Sequence, residues 1–417
     1  MKLAMVVIAW QTSLEAQDKL LISGNIIDVV TKEPLPYVTL SLKKQLIGVV
    51  TNEEGKFDLY IPKEAGNDTL LVNYLGYKHV LIHVPEIKTP ITIQLEQTIV
   101  QLEEIVVRPW SPENYIQMAM RKLKENYSGE PFQTEAYYRE KILENKNLIK
   151  CDEGVFRTFC LNYLDTIRPQ NQLLLFRQAD NPQKITFMSR EQKKKEIKDS
   201  VRTANGEENN VNIDLGESFG GPEDILKIGV IGRNPEDFLD STQFKSYKYS
   251  FSKSSSYNTG EVLVIDFASK GKVNYKREAG KIYIDLASLA IVKIECKGNF
   301  IIPAIVKPIL FFLSFSIKNP TYEKTTEFQK ANGKWYPKNI QNNIDLKLSN
   351  KHLFRKDERS DFEIEQFFTV NELKTENPQQ IPETKRFVAK KEMEKQVFND
   401  GGLTWEGLNI IKPQGGK

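Results

Sequence analysis

Along most of this chain apolar and polar residues alternate with a period near two, the spacing that turns every second side chain to one face of a β-strand. Leu21–Val29, Tyr37–Leu42, Thr69–Tyr74, Lys78–Val84 and Ile91–Leu95 are runs of this kind, rich in β-branched and aromatic residues. Between the first two, Thr31-Lys32-Glu33-Pro34-Leu35-Pro36 neither propagates a helix nor donates freely to a ladder, so it is a connection. Val49 to Pro62 reads as a hairpin turning at Asn52-Glu53-Glu54-Gly55, where Gly55 supplies the positive φ. Short strands with closely spaced turn signals predict an all-β sandwich over residues 21–98.

Past a linker at 99–110 the period changes. Ser111 as N-cap and Pro112 at the first helical position open a helix, along which Ile116, Ala119, Met120, Leu123 and Tyr127 recur at helical spacing. Strand patterns then return at Thr134–Leu143, Gly154–Leu164, Lys184–Met188, Phe244–Phe251, Glu261–Phe267, Lys281–Asp285, Ala290–Cys296, Tyr322–Lys330 and Lys334–Leu348. The connections at 144–147 and 331–334 are short enough for hairpins. Residues 111–370 are therefore expected to form an α+β domain with a large antiparallel meander sheet. Residues 371–417 are expected to hold a C-terminal helix and tail. Glu383–Asn399 reads as a charged helix carrying Phe387, Met393, Val397 and Phe398, and Trp405–Ile411 as a return to the sheet.

Composition narrows the function classes. A chain of 417 residues with 40% hydrophobic and 10% aromatic content has room for two or three packed domains. Its 58 basic and 55 acidic residues leave a charge of +3, with no electrostatic footprint for nucleic acid. Lys193-Lys194-Lys195 lies beside Glu191 and Glu196 in a polar stretch and reads as a solvated loop. Three cysteines, Cys151, Cys160 and Cys296, exclude a disulfide-stapled scaffold. At the N-terminus Lys2, the apolar run Leu3–Trp10 and the small-residue point Ala16-Gln17 form a signal peptide over residues 1–16, although Leu14 at the −3 position is not small. A frayed terminus is the competing reading. No cysteine follows the run, so a lipoprotein anchor is not expected, and the signal places the protein in the periplasm or at the outer membrane.

Ser23-Gly24-Asn25-Ile26, Pro34-Leu35-Pro36-Tyr37-Val38, Gly48 to Phe57, and Leu71 to Tyr77 together resemble the carboxypeptidase-like regulatory domain. That resemblance implies a transthyretin-like sandwich, found at the N-terminus of many Gram-negative outer-membrane proteins, that serves scaffold and interaction rather than peptidase chemistry. Leu102–Val107 is similar to the segment that follows this module in TonB-dependent transporters. The remaining chain is too short for their barrel of about 22 strands, so here it reads as a final strand or linker. Tyr115, Ala136–Glu140, Phe244–Tyr249, Gly280–Asp285 and Gly333–Pro337 resemble an uncharacterised envelope family that joins such a sandwich to a β-rich region and often a membrane barrel. The chain departs from that pattern by stopping before a barrel. Gly280–Asp285 followed by Ile291–Glu295 is also similar to the curved sheet of periplasmic lipoprotein carriers.

Three strings carry candidate chemistry. His83-Val84-Pro85-Glu86 matches the His-x-x-Glu zinc motif, but the third ligand would have to be His352, the sole later histidine, and the motif falls within the sandwich. His79 and His83 would lie about 13 Å apart on a strand and cannot share a metal. Gly216-Glu217-Ser218-Phe219-Gly220 fits Gly-x-Ser-x-Gly, which would make Ser218 the nucleophile and His352 its base. Hydrolases with that elbow alternate strands and helices around a parallel sheet, whereas this region is rich in hairpins, so a glycine loop is the competing reading. Phe300–Ile317 reads first as a buried strand and its connecting loop, with Ile305, Ile309, Phe311 and Phe312 as an apolar contact surface for lipid or a partner the alternative. Pro303 and Pro308 exclude a spanning helix there.

These readings converge on a non-catalytic exported envelope protein with no metal and no cofactor. Its sandwich presents an interaction edge, and its sheet binds an envelope protein partner or an apolar ligand. A serine hydrolase using Ser218 and His352, and a periplasmic lipid or lipoprotein carrier, are the alternatives.

Overall fold

The computed structural model describes residues 19–45, 47–74, 76–97, 109–163, 169–178, 183–187, 225, 230–231, 236–252, 255–257, 260–302, 315–351, 356–388, 391, 393–399 and 402–412. The signal-peptide reading, Leu102–Val107, Lys193–Lys195, Gly216–Gly220 with Ser218, His352, and the contact residues Ile305, Ile309, Phe311 and Phe312 all lie outside the described residues.

The N-terminal unit is a sandwich of two sheets. In one, β1 (Lys19–Asp28) is flanked by β4 (Lys56–Pro62), antiparallel, and by β7 (Ile91–Leu95), parallel. The other runs in the order β3 (Gly48–Val50), β2 (Thr39–Leu42), β5 (Thr69–Asn73), β6 (Val80–His83). Alternate residues from both meet in one core that includes Ile26, Leu40, Val49, Phe57, Leu59, Ile61, Leu70, Val72 and Leu95. Val49 to Pro62 is not the expected hairpin, because β3 pairs with β2 and β4 with β1. The turn at Asn52–Gly55 instead carries the chain across the core, since Val49 and Phe57 both point into it from opposite sheets. The Asn52 carboxamide oxygen accepts from the amides of Glu54 (3.0 Å) and Lys56 (2.9 Å). Gly55 has φ +70°, and a Cβ there would lie 2.5 Å from the Ile26 carbonyl oxygen.

Helix α1 (Pro112–Arg121) begins as its sequence requires: the Ser111 side chain accepts from the Asn114 amide and Pro112 takes the first position. A break at Lys122 separates it from the single turn α2 (Leu123–Asn126). Then comes one eleven-stranded antiparallel sheet. Its strands are β8 (Phe132–Glu144), β9 (Asn147–Cys160), β10 (Gln170–Gln178), β11 (Tyr247–Phe251), β12 (Ser255–Tyr257), β13 (Gly260–Ser269), β14 (Lys276–Asp285), β15 (Ile291–Phe300), β16 (Phe315–Ala331), β17 (Lys334–Asn350) and β18 (Glu358–Lys374). The spatial order is β10-β9-β8-β18-β17-β16-β15-β14-β13-β11, with β12 also on β13. The chain is thus an N-terminal all-β sandwich followed by a β-rich unit built on an antiparallel meander. Asn145-Lys146 and Asn332-Gly333 all have positive φ, the two-residue hairpin turn that matches strand twist. The last strand, β18, closes the order by inserting between β17 and β8, with Ile364 opposite Ile344 and Ile142.

Two further expectations are corrected. Residues 183–187 form no strand; they are pinned instead by Glu144, whose carboxylate accepts from the Thr186 amide (2.6 Å) and hydroxyl (2.8 Å), the Phe187 amide (2.8 Å) and the Ser360 hydroxyl (2.6 Å). Glu383–Asn399 is not one helix: its described residues hold short 3-10 turns at Glu383–Lys385 and Met393–Gln396. Phe387 and Phe398 donate their amides to the carbonyls of Asn171 and Leu173 on the β10 edge, and that pairing competes with helical hydrogen bonding.

Residues 381–412 form a strap around that edge. Phe387 packs edge-on against Phe156 on one side of the sheet. Leu403, Trp405 and Leu408 pack against Val155, Leu174 and Leu175 on the other, where Arg177 lies 4.3 Å above the Trp405 ring. Ile411 then enters the seam between the two units, beside Val50, Tyr137 and Phe367.

Candidate ligand-binding face

Alternation gives the large sheet two chemically different faces. One carries the helices: Tyr115, Ile116, Ala119, Leu123 and Tyr127 pack there with Phe156, Ile282, Ile284, Ile294, Phe328, Ile340 and Phe368. The other receives the sandwich, with Tyr37 stacked on Phe367 at 5.9 Å.

On the helix face the apolar surface is divided. One field continues the core above through the register row Tyr138, Phe368, Ile340. A second field consists of Ile142, Ile364, Leu346, Leu348, Phe362 and Phe187. Between them a single register row is polar on six neighbouring strands: Lys324 on β16, Asn342 on β17, Gln366 on β18, Glu140 on β8, Asp152 on β9 and Gln178 on β10. Side-chain hydrogen bonds run along it. Asn342 donates to Gln366 (2.9 Å), Gln366 to Glu140 (2.8 Å), Lys150 to Glu140 (2.9 Å) and Gln178 to Asp152 (2.9 Å). The Tyr138 hydroxyl also donates to Glu140 (2.9 Å), and Lys150 pairs with Asp152 at 3.3 Å. Glu140 and Gln366 are each only 2% exposed, so this is a satisfied network in a region of low dielectric.

At the β14–β16 end the row meets a second buried carboxylate. Glu278 accepts from the hydroxyls of Tyr247 (2.7 Å) and Tyr322 (2.5 Å), and its oxygen lies 3.6 Å from the Cys296 sulfur. Lys324 pairs with Glu236, as does Lys276 at 3.6 Å. Burial pushes the Cys296 thiol well above its ordinary pKa, and the nearby carboxylates add to the shift, so the sulfur is held as an unreactive thiol. Burial raises Cys151 as well.

On the sandwich face Lys338 is 4% exposed, and its ammonium donates to the Val370 carbonyl at 2.6 Å. It lies under the sandwich, where a Cβ on Gly48 would stand 3.3 Å from Nζ. Burial lowers its pKa to about 8, opposed by the Glu327 carboxylate. Asn339 links the units directly, donating to Thr39 (3.3 Å) and Glu327 (2.9 Å).

Ser218, His352 and the four apolar contact residues fall outside the described residues. His83 ends β6 on the sandwich surface with its ring nitrogen 3.0 Å from the Asp68 carbonyl oxygen, and Glu86 lies in the 3-10 turn that follows. Among the described residues no three His, Cys, Asp or Glu side chains are grouped to hold a metal ion, and no helix is long and apolar enough to cross a membrane. Sequence reasoning missed the polar row. Its trace is a charged or amide residue at an inward position of an otherwise apolar alternation, as at Glu140 between Tyr138 and Ile142.

The N-terminal unit is a CarboxypepD_reg-like domain: residues 22–107 match the profile of that family. No curated protein matches the chain. Among solved structures, a protein described as membrane-associated and of unknown function from Bacteroides fragilis NCTC 9343 is 10% identical, covering 86% of this chain and 99% of its own, with a TM-score of 0.16. A DUF1329 family protein from Desulfovibrio piger ATCC 29098 is 9% identical over 62% of this chain and 91% of its own, with a TM-score of 0.20. Lipovitellin, solved to describe lipid–protein interactions, is 7% identical over 61% of this chain and 26% of its own, with a TM-score of 0.23.

Proposed function

We propose that this is a non-catalytic binding protein exported to the bacterial envelope, in which the helix face of the large sheet carries an apolar ligand of the lipid class and the sandwich engages a protein partner. The observation that supports the ligand is the construction of that face: two apolar fields on one continuous sheet, separated by a satisfied polar row. Both fields are packed in this structure, Ile142 being 2% and Phe362 1% exposed, so acyl chains would take up that area by replacing what covers it, with a polar group lying along the row between them. Export is supported by the apolar run Leu3–Trp10 after Lys2.

The test is native purification of the full chain without detergent, followed by solvent extraction and mass spectrometry. Acyl lipid at near one equivalent per chain is expected. Ile344→Trp, at a position that packs against both fields, should lower the bound lipid by about threefold or more, with thermal unfolding followed in parallel because overpacking costs about 1–3 kcal/mol. Repeated recovery of an empty protein overturns the ligand, and recovery from the cytosolic fraction overturns export.

A further inference from the structure

The outer half of the strap, residues 402–412, ends on the free side of β4. Within the β1–β4 ladder Tyr60 stands opposite Leu21, and the Tyr60 amide and carbonyl point away from β1, toward the edge. Both are met by one side chain: the Asn409 carboxamide oxygen accepts from the Tyr60 amide (2.7 Å), and its nitrogen donates to the Tyr60 carbonyl (3.0 Å). A carboxamide thus reproduces the donor and acceptor that one residue of a neighbouring strand would supply. Two residues away Lys412 pairs with the Asp58 carboxylate at 2.9 Å, while the Asn52 side chain donates to the Lys412 carbonyl (3.1 Å) and Lys19 to the Gly407 carbonyl (3.0 Å). Among the described residues no main-chain to main-chain hydrogen bond joins the strap to β4. Behind the edge, Ile411 is 1% exposed in a socket that includes Val50, Tyr137 and Phe367.

The strap's inner half is held separately on β10 through Phe387 and Phe398. Between the halves, the Asn399 side chain closes a turn on Leu403, and Gly402 takes φ +64°. The outer half can leave about this turn while the inner half stays in place, giving up the packing of Leu403, Trp405 and Leu408 on Val155, Leu174 and Leu175 that a peptide of residues 403–412 would restore.

We propose that the β4 edge with its adjoining socket is a strand-accepting site, that the C-terminal strap occupies it in cis, and that its partner is an extended peptide segment of another protein. An incoming strand would meet Asp58 and Tyr60 with its own main chain, placing one side chain in the Ile411 socket. Each such hydrogen bond beyond those the strap makes favours exchange by about fivefold. This inference rests on the sandwich being the partner-engaging half of the proposal above. Its readout is peptide binding rather than co-purified lipid, so either can fail alone.

The test uses the full chain carrying Asn409→Ala and Lys412→Ala, with Asn409→Asp as a second variant that keeps the side-chain volume but removes the donor to Tyr60. The probes are a fluorescent synthetic peptide with the sequence of residues 403–412 and the same peptide with Val in place of Asn409. Hydrogen exchange at the Tyr60 amide should quicken about fivefold in the double variant and slow again on adding either peptide. Both peptides should bind the double variant at least about tenfold tighter than the wild type, with Asn409→Asp between them. Unchanged exchange overturns the proposal. So does fast exchange with no peptide binding, or binding of the parent peptide without the Val peptide, which would mean that the edge reads only a side-chain amide.

Discussion

The two units bury apolar surface in different ways. In the sandwich, the inward faces of two sheets close on each other and the core between them is continuous, with Ile26, Leu40, Phe57, Leu59, Leu70 and Val72 all fully buried. In the large sheet, a single face has to be covered by whatever the chain lays across it, and that face is interrupted from β16 to β10 by amides and charges that pair with one another. The sandwich is a scaffold whose interior is used up by its own folding. The sheet keeps a patterned face, and patterning beyond what stability needs is where function is sought.

Glu140→Ala probes that contrast most strongly. The carboxylate accepts from Tyr138, Lys150 and Gln366, so its removal takes the partner from the buried Tyr138 and Gln366 donors, while Lys150 keeps Asp152, and should cost about 3 kcal/mol in urea unfolding. Replacing Glu140, Lys150 and Gln366 together by Leu should recover only part of that loss, because the Tyr138 hydroxyl, the Asn342 amide and the Asp152 carboxylate each lose a partner with the trio. If the triple variant is as unstable as the single one, the row is structural and the distinction between the units weakens.

Lys338→Met tests the seam where the units meet. The lysine's folded pKa of about 8 lies below its unfolded value of 10.5, so burying the cation weighs against folding at neutral pH. The Met variant should be about 2 kcal/mol more stable at pH 7, the loss of the bond to Val370 offsetting part of a larger gain. The sign follows from proton counting: between pH 8 and 10.5 the unfolded chain holds a proton that the folded chain has released, so wild-type stability gains with rising pH. The advantage of the variant should shrink across that window. A constant difference from pH 7 to 10 would show that the lysine is not desolvated by the docked sandwich.

The smallest expected effect belongs to the sandwich alone. Asp28 accepts from the Thr31 amide, the Tyr77 hydroxyl, the Val30 amide and Gln97, which hold its pKa down to about 2. A depressed carboxyl stabilises above its unfolded pKa and loses that contribution as pH falls toward 2. Asp28→Asn should therefore flatten the acid limb of sandwich unfolding between about pH 4 and 2, followed by the fluorescence of that unit's tyrosines. An unchanged acid limb would assign that pH dependence to the large sheet instead.

How much of this was legible follows the physics of each element. The turns at Asn332-Gly333 and Asn52–Gly55, the Ser111 cap and the alternation of β8, β13 and β17 are local, and were readable as local facts. β18 is absent from the sequence-predicted strands although Asp361, Glu363 and Glu365 alternate with Phe362 and Ile364 as a half-buried strand requires; its place between β17 and β8 comes only from long-range pairing. The charges and spaced apolar residues of Glu383–Asn399 suit a helix, but the β10 edge supplies Phe387 and Phe398 with better hydrogen-bond partners. Likewise Asn409 is an ordinary polar residue in sequence, and only the fold sets it 349 positions away against Tyr60.

By itself the sequence determined what depends on neighbours along the chain: strand period, turn chemistry, the helix start and the family of the first unit. Tertiary structure alone decided which strands share a sheet, that Val49 and Phe57 belong to opposite sheets, that six polar residues from six strands lie in one row, and that the strap finishes on the sandwich. The reason is that register and edge pairing are set by long-range hydrogen bonding and burial, and a period of two is compatible with many registers until a partner strand selects one.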